Sequence, residues 1–359
     1  MGATLLLDFT VKSIIHDYQV NFIENSHTAL KTELEKGDAI IMDKKIKKLY
    51  PDLVDGFSEI ELILEIEANE NQKSYKALAP LIGRLIEGGF KKNNKIIAIG
   101  GGITQDTSAF IASIMYRGVD WIFFPTTLLA QGDSCIGSKT SINFGEYKNQ
   151  LGGFYPPHKI YIDAHFLDTL DESDIQSGLG EMSHYFVVSG EKDFVQYKND
   201  FEHVKSNKNI LTKMIARSLE IKKSYIEIDE FDQNERQIFN YGHSFGHAIE
   251  TLTNYKIPHG IAVSFGMDIA NFVSMKMDLV NPEIRNEIRD LLERIWEGYS
   301  IKNINSHKLC AALSKDKKNV GKQLRLILCK GYGNVFKMPV DNDERLQKWL
   351  EEYLINEAV

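Results

Sequence analysis

Four consecutive apolar residues, Ile96-Ile97-Ala98-Ile99, run straight into Gly100-Gly101-Gly102, and Asp106 then opens a helical pattern. An apolar run without alternation predicts a strand buried on both faces, and glycines at its end predict a tight strand-to-helix turn. Few architectures cover both faces of a strand, and the commonest is a parallel sheet with helices on either side. The rest of the first half agrees. Strand patterns over residues 18–23, 39–42, 61–66, 95–99, 121–124 and 159–162 alternate with helical patterns over 28–34, 75–86 (despite Pro80) and 106–116. Beyond about residue 163 the pattern becomes helical only. Asn281-Pro282 is a cap followed by proline at the first helical position. Ile284, Ile288, Leu291, Leu292 and Ile295 then form one stripe, and 343–355 is a further helix with Leu346, Trp349, Leu350 and Tyr353 inward. The expectation is an α/β domain over 1–165 and an α-helical domain over 166–359.

A chain of 359 residues exceeds one typical core, which supports two domains. The net charge of -8 argues against a general nucleic-acid binder but leaves room for a local basic pocket that takes a small anion. The three cysteines, Cys135, Cys310 and Cys329, have no paired spacing, so a reducing compartment without disulfides is expected. The first residues lack a basic segment and are broken by Asp8, which does not read as a secretory signal. No run reaches the roughly eighteen apolar residues of a membrane span, so a cytoplasmic location away from membranes is expected.

Three stretches carry chemistry. The glycine triplet would let backbone approach a pyrophosphate, with the N–H groups of the following helix turned toward it. Tight turns use glycines anyway, and Gln105 stands where the G-x-G-x-x-G pattern has its third glycine. The segment from Pro125 to Thr140 is rich in hydroxyl and small residues, includes Lys139, and is followed by Lys148-Asn149. That composition suits either a loop holding a phosphate and a polyol or an ordinary solvated loop. Finally, His243, His247 and His259 fall within seventeen residues. His243 and His247 are four apart, so on a helix they share a face and could grip one divalent metal. Equally, one could be a core histidine and another a helix cap. A metal would need a further ligand from elsewhere.

In order along the chain stand Gly100-Gly101-Gly102-x-x-x-Asp106, Arg117-Gly118, Pro125-Thr-Thr-Leu-Leu-Ala, Asp133-Ser, Gly137-x-Lys139-Thr140, Lys148-Asn149, Gly178-Leu-Gly-Glu181 and Asn240-x-Gly-His243-x-x-Gly-His247-Ala-Ile-Glu250. This series resembles the 3-dehydroquinate synthase family of sugar phosphate cyclases, from about Tyr18 to about Asp341. The resemblance implies a Rossmann-like, NAD-binding α/β domain followed by an all-α metal-binding domain. It implies a carbon–oxygen lyase that converts a phosphorylated seven-carbon keto sugar acid to a carbocycle. Transient oxidation by NAD, phosphate elimination, return of the hydride and an intramolecular aldol addition are the implied steps. By position, Glu181, His243 and His259 become the ligands of a divalent metal, zinc or else cobalt, while His247 faces the substrate. Asp133, Lys139, Asn149, Lys222, Arg236 and Asn240 match the polar lining of the substrate pocket, with Lys222 and Arg236 suited to a carboxylate. Arg117 matches an arginine supplied across a homodimer interface. One of Lys317 and Lys318 matches a lysine that closes on the phosphate. For NAD the matching positions are Asp43, Glu70, Lys73, Gly101, Gly102, Asp106, Thr126, Thr127 and Lys148.

The chain also departs from the family. His184 stands three residues after Glu181 where the family has lysine, Ser138 replaces a glycine, and Asp232 replaces a glutamate. Lysine and histidine differ in reach and charge, so the substitution bears on the substrate. A relative acting on sedoheptulose 7-phosphate or a hexose 6-phosphate, and an NAD- and metal-dependent polyol dehydrogenase of the glycerol dehydrogenase type, are the competing expectations. A lapsed paralogue with a binding role is a third.

Overall fold

The computed structural model describes residues 7–54, 56–57, 62–145, 147–314 and 323–359. The chain divides into two compact units, one of residues 1–170 with 222–231 and one of 171–221 with 232–359. No helix among the described residues is long and apolar enough to cross a membrane.

The first unit is an α/β layer structure. Its elements run β1 (Phe9–Val11), β2 (Tyr18–Ile23), α1 (Ser26–Glu33), β3 (Ala39–Asp43), α2 (Lys44–Leu49), β4 (Leu62–Ile66), α3 (Tyr75–Glu87), β5 (Ile96–Gly100), α4 (Gly102–Ile114), β6 (Trp121–Pro125), β7 (Lys139–Phe144), β8 (Tyr147–Phe154) and β9 (Lys159–Asp163). The main sheet has the order β1-β2-β9-β6-β5-β3-β4 and is parallel except at the β1–β2 edge. Ile96, Ile97, Ala98 and Ile99 have no exposed surface, as a strand covered on both faces requires. On one face Ile97 and Ile99 pack with Ile40, Met42, Ile122, Phe124 and Phe166. Pro80 is tolerated in α3 because it lies on the exposed side, and Ser74 caps that helix at Ala77 N–H.

The second unit carries helices α5 (Glu172–Ser189), α6 (Glu191–Phe201), α7 (Lys208–Ile226, counted with the first unit from Lys222 on), α8 (His243–Leu252), α9 (His259–Lys276), α10 (Pro282–Ile295) and α11 (Ser306–Ser314), then strands β10 (Gln323–Cys329) and β11 (Val335–Asp341), and α12 (Glu344–Asn356). Helix α9 is buried along almost its whole length, from Gly260 to Ser274, which explains why apolar residues occur on all its faces.

Four expectations shift. The helix after β5 starts at Gly102, four residues before Asp106, because glycines fill both its N-cap and its first position. The segment from Pro125 to Thr140 is not a plain loop: Ala130–Ser134 forms a π-helical turn, and β7 pairs with β8 as a hairpin. Helices do not hold the second unit alone, since β10 and β11 form an antiparallel pair. In α12 the inward residues are Leu346, Leu350, Tyr353 and Leu354, while Trp349 is half-buried with the Arg345 guanidinium 5.2 Å above its ring. The Tyr353 hydroxyl instead reaches Asp268 at 2.8 Å, where Arg285 and Arg289 also converge. That buried ion cluster puts a charged residue, Arg285, into the apolar stripe of α10.

Candidate active site

In the first unit, strand β3 pairs with β4 on one side and β5 on the other, and the chain then moves away through β6 and β9. The order therefore reverses between β3 and β5, and the carboxyl ends of such strands form a crevice suited to a dinucleotide. Asp43 ends β3, Gly100 ends β5 and Pro125 ends β6, so Asp43, Gly101, Gly102, Thr126 and Thr127 share this edge. The glycines differ in role. A Cβ on Gly100 would lie 2.3 Å from Thr104 Oγ1 and one on Gly101 2.9 Å from Thr127 Cγ2, whereas one on Gly102 would meet nothing within 4 Å. Gly100 and Gly101 thus serve packing, and Gly102 leaves open space in front of an α4 N-terminus that has no side-chain cap.

Gln105, the residue in place of a third glycine, ties α4 to the π-turn. Its Nε2 donates to Ser134 O at 2.6 Å and its Oε1 accepts from Ser134 Oγ at 2.6 Å. The buried Gln131 holds the other side by donating to Pro125 O and Asp163 O. Gln105 stood out in the sequence only as a missing glycine and Gln131 not at all; the signal available was a glutamine in an otherwise small or apolar run. The turn presents Asp133, whose Oδ1 and carbonyl oxygen both accept from Lys222 Nζ, at 2.8 and 2.7 Å.

Glu70, Lys73, Asp106 and Lys148 also come together. Lys73 Nζ lies 2.6 Å from Asp106 Oδ2, and Glu70 accepts from Asn143 Nδ2 at 2.7 Å with Lys148 Nζ 3.6 Å away. Burial raises the Asp106 carboxyl above the usual carboxylate range against the pull of Lys73. Asn149 holds a left-handed backbone, φ +53°, while Asn143 Oδ1 accepts from its N–H and Ser141 Oγ donates to its Oδ1. Lys139 pairs with Phe154 at the open end of the hairpin, two residues before Ser141 and so on the same face of β7. Arg117 is apart. It follows α4 on a run of positive φ angles, 49°, 68° and 116° at Tyr116, Arg117 and Gly118, and is exposed. Thirteen helical residues, about 20 Å, separate it from Gly102, so it cannot serve the crevice of its own unit.

In the second unit, Glu181 lies in α5, while His243 and His259 are the first residues of α8 and α9. Their ligand-type atoms lie within 4.8 Å of one another. His243 Nε2 is 3.2 Å from Glu181 Oε1, and His259 Nε2 is 3.4 Å from Glu181 Oε2. The second nitrogen of each ring is anchored, His243 Nδ1 on Tyr241 O at 3.3 Å and His259 Nδ1 on Glu250 Oε2 at 3.2 Å. Glu181 is buried, and its Oε2 has no hydrogen-bond partner among the described residues. Burial alone would raise the Glu181 carboxyl, but the imidazoles of His243 and His259 hold it far below the usual range. An anionic carboxylate and two imidazole lone pairs converging on one point is the donor set of a divalent cation.

Glycines make this convergence possible. A Cβ on Gly260 would fall 1.8 Å from Ser177 O, and one on Gly180 2.3 Å from Gly260 O, so α5 and α9 touch backbone to backbone. Likewise a Cβ on Gly266 would fall 2.0 Å from Gly242 O, and Gly242 itself has φ +82°. The pairing of His243 with His247 on one ion does not appear. Among the described residues the two fall in different ligand-type clusters, and His247 groups with Glu250 and His259 instead. His184 has no exposed surface. Its ring packs on Tyr185 and lies edge-on to His243, with Nδ1 3.9 Å from Glu181 Oε1, too long for a hydrogen bond. Arg236 is buried in a turn over Glu235–Asn240, where Asn240 Nδ2 donates to Gln237 O. Lys317 and Lys318 lie outside the described residues.

Two family models match, the 3-dehydroquinate synthase N-terminal region over residues 63–177 and its C-terminal region over 178–319. The chain is 34% identical to a 3-dehydroquinate synthase of Streptococcus equi subsp. equi, over 96% of this chain and 98% of that one. Among solved structures it is similar to a 2-deoxy-scyllo-inosose synthase complexed with carbaglucose-6-phosphate, NAD+ and Co2+, with TM-score 0.86 and 22% identity over 96% of this chain and 99% of that one. It is also similar to the 2-epi-5-epi-valiolone synthase of Streptomyces hygroscopicus subsp. jinggangensis with NAD+ and Zn2+ bound, with TM-score 0.86 and 22% identity over 96% and 98% of the two chains.

Proposed function

The chain belongs to the 3-dehydroquinate synthase family, and from that premise we propose that it is an NAD- and divalent-metal-dependent sugar phosphate cyclase, a carbon–oxygen lyase whose substrate is a phosphorylated seven-carbon keto acid. The observation that carries this reading is the buried Glu181 carboxylate, with an orphaned oxygen, facing the Nε2 atoms of His243 and His259. Those three residues would hold the metal. Asp43, Gly101, Gly102, Thr126 and Thr127, with Glu70, Lys73, Asp106 and Lys148, would hold NAD. When bound, the two groups supply a returnable hydride acceptor and polarisation of the alcohol oxygen.

The chain's own residues bind and orient. Lys222, fixed by Asp133, retains one ammonium donor for a carboxylate; Arg236, with its planar fork, is likewise suited to a carboxylate. Asn149 and Lys139 offer donors to a phosphate, as does one of Lys317 or Lys318, and Arg117 is directed to the site of a second copy in a homodimer. Asn240 and His247 face the sugar hydroxyls. Once the alcohol next to it is a ketone, the carbon bearing the acidified hydrogen loses a proton to the departing phosphate as the C–O bond breaks and a C=C bond forms. Holding the product of that step in place converts the later ring closure to an intramolecular reaction.

The direct test supplies 3-deoxy-arabino-heptulosonate 7-phosphate, sedoheptulose 7-phosphate and glucose 6-phosphate separately, and follows phosphate and NADH. Phosphate is expected from the first with no net NADH. Net NADH without phosphate would make the protein a polyol dehydrogenase, and no phosphate from any of the three would overturn the cyclase reading.

The cofactor edge has its own test. In Gly102→Ala the new methyl meets no protein atom within 4 Å, so the melting temperature should hold. NAD affinity should fall about tenfold or more, ~1.4 kcal/mol, because the methyl occupies the approach to the α4 N–H groups. Unchanged NAD affinity in a calorimetric titration would remove Gly102 from the binding site.

A further inference from the structure

Glu250 closes the Gly-His-Ala-Ile-Glu motif and has no part in the chemistry above. It lies in the last turn of α8 with its side chain 14% exposed, and its Oε2 is 3.2 Å from His259 Nδ1. The other nitrogen of that ring, Nε2, is 3.4 Å from Glu181 Oε2. One imidazole therefore bridges two carboxylates, one at each nitrogen. A neutral imidazole has a single N–H. A proton on Nδ1, donated to Glu250, leaves the Nε2 lone pair facing Glu181.

His259 needs this support more than its neighbour does. It is the first residue of α9 and its side chain is 35% exposed, against 15% for His243, so packing constrains its ring less. His243 is served by a backbone carbonyl, whereas His259 relies on a side chain from another helix. We propose that Glu250 is the positioning residue of the metal centre: by accepting a hydrogen bond from Nδ1–H it sets the tautomer and orientation of His259 and makes Nε2 a stronger donor. This rests on Glu181, His243 and His259 being the metal ligands. His247, Glu250 and His259 are also close enough to form a cation cluster of their own, with ligand-type atoms within 4.8 Å. An Nδ1 that donates to Glu250 cannot bind that second ion, so one ion per chain is the consequence.

The test loads chelator-stripped protein with Co2+ and follows the visible absorption of the bound ion, with stoichiometry by mass spectrometry. The proteins are wild type, E250Q, E250A, H259A, H259A/E250Q and E181Q. One ion should bind to wild type, about 10-fold more weakly to E250Q, which keeps a neutral acceptor, and up to about 100-fold more weakly to E250A. The metal-free melting temperature of E250Q should match wild type. In the H259A background E250Q should add no further loss, since Glu250 acts through that ring. Equal affinity in wild type and both Glu250 variants would overturn the proposal. So would a full loss that persists without His259, or a second ion in wild type that disappears in E250A. If E250A fails to fold, E250Q and the double variant decide the matter. Equal, weak binding by wild type and E181Q would instead sink the underlying ligand assignment, a distinct result.

Discussion

Glu181→Gln is expected to leave the protein folded and to abolish metal retention and phosphate release together. The carboxamide has the same shape, so the α5–α9 packing around Gly180 and Gly260 is undisturbed. What is lost is the anion. The Glu181 carboxyl is held charged despite burial by the imidazoles of His243 and His259, and a neutral amide offers a divalent ion one weak oxygen in its place. Lewis-acid stabilisation of a developing oxyanion is worth several kcal/mol, so turnover should fall by roughly a thousandfold or more. Metal content after dialysis and phosphate release under saturating NAD check both halves. A variant that keeps one ion per chain and a tenth of the activity would remove Glu181 from the site.

Gly260→Ala should produce the largest loss of stability of any single methyl added to this chain at the helix crossings. Its Cβ would fall 1.8 Å from Ser177 O and 2.8 Å from Glu181 N, both backbone atoms of a buried helix that cannot swing aside. Relief requires α9 to shift bodily from α5, at the upper end of overpacking penalties, ~3 kcal/mol. For a unit of this size that corresponds to a melting temperature lower by about 6–12 °C. The same shift moves His259, one residue away, relative to Glu181, so metal affinity should fall with it. Gly83→Ala is the control: it lies within α3 with nothing within 4 Å of its would-be Cβ, and should stabilise by about 0.5–1 kcal/mol through helix propensity. Equal melting temperatures for the two variants would show that the α5–α9 contact is slack.

Much of the fold was legible because burial leaves periodic marks. A strand covered on both faces must be apolar throughout, and Ile96 to Ile99 announced the parallel sheet before any contact was known. Asn281-Pro282 likewise marked the start of α10, where Asn281 Oδ1 does accept from Ile284 N–H. The β7–β8 hairpin was not legible. Strand β8 is exposed along nearly its whole length and contains two glycines, so it gives no apolar alternation, and Gly152 is there because a Cβ would strike Thr140 O at 1.9 Å.

Within the site, residue type pointed to chemistry but spacing along the chain misled. Three histidines were visible as candidates from residue type, Glu181 came with the family resemblance, and helical periodicity made His243 and His247 the natural pair. Periodicity reports only neighbours on one helix, and Glu181, His243 and His259 come from three helices. Their convergence depends on how closely α5, α8 and α9 cross, which is decided by Gly180, Gly242, Gly260 and Gly266 having no side chain to hold the backbones apart. The sequence by itself determined the α/β sheet and the helical second unit, since each leaves a local pattern of polarity, and its family motifs named Glu181, His243 and His259 as ligand candidates. Only the tertiary structure decided how near His243 lies to Glu181, that His184 is buried beside it, and that Glu250 meets His259. Those are distances between separate helices, and a linear pattern carries no information about the depth at which two helices pack.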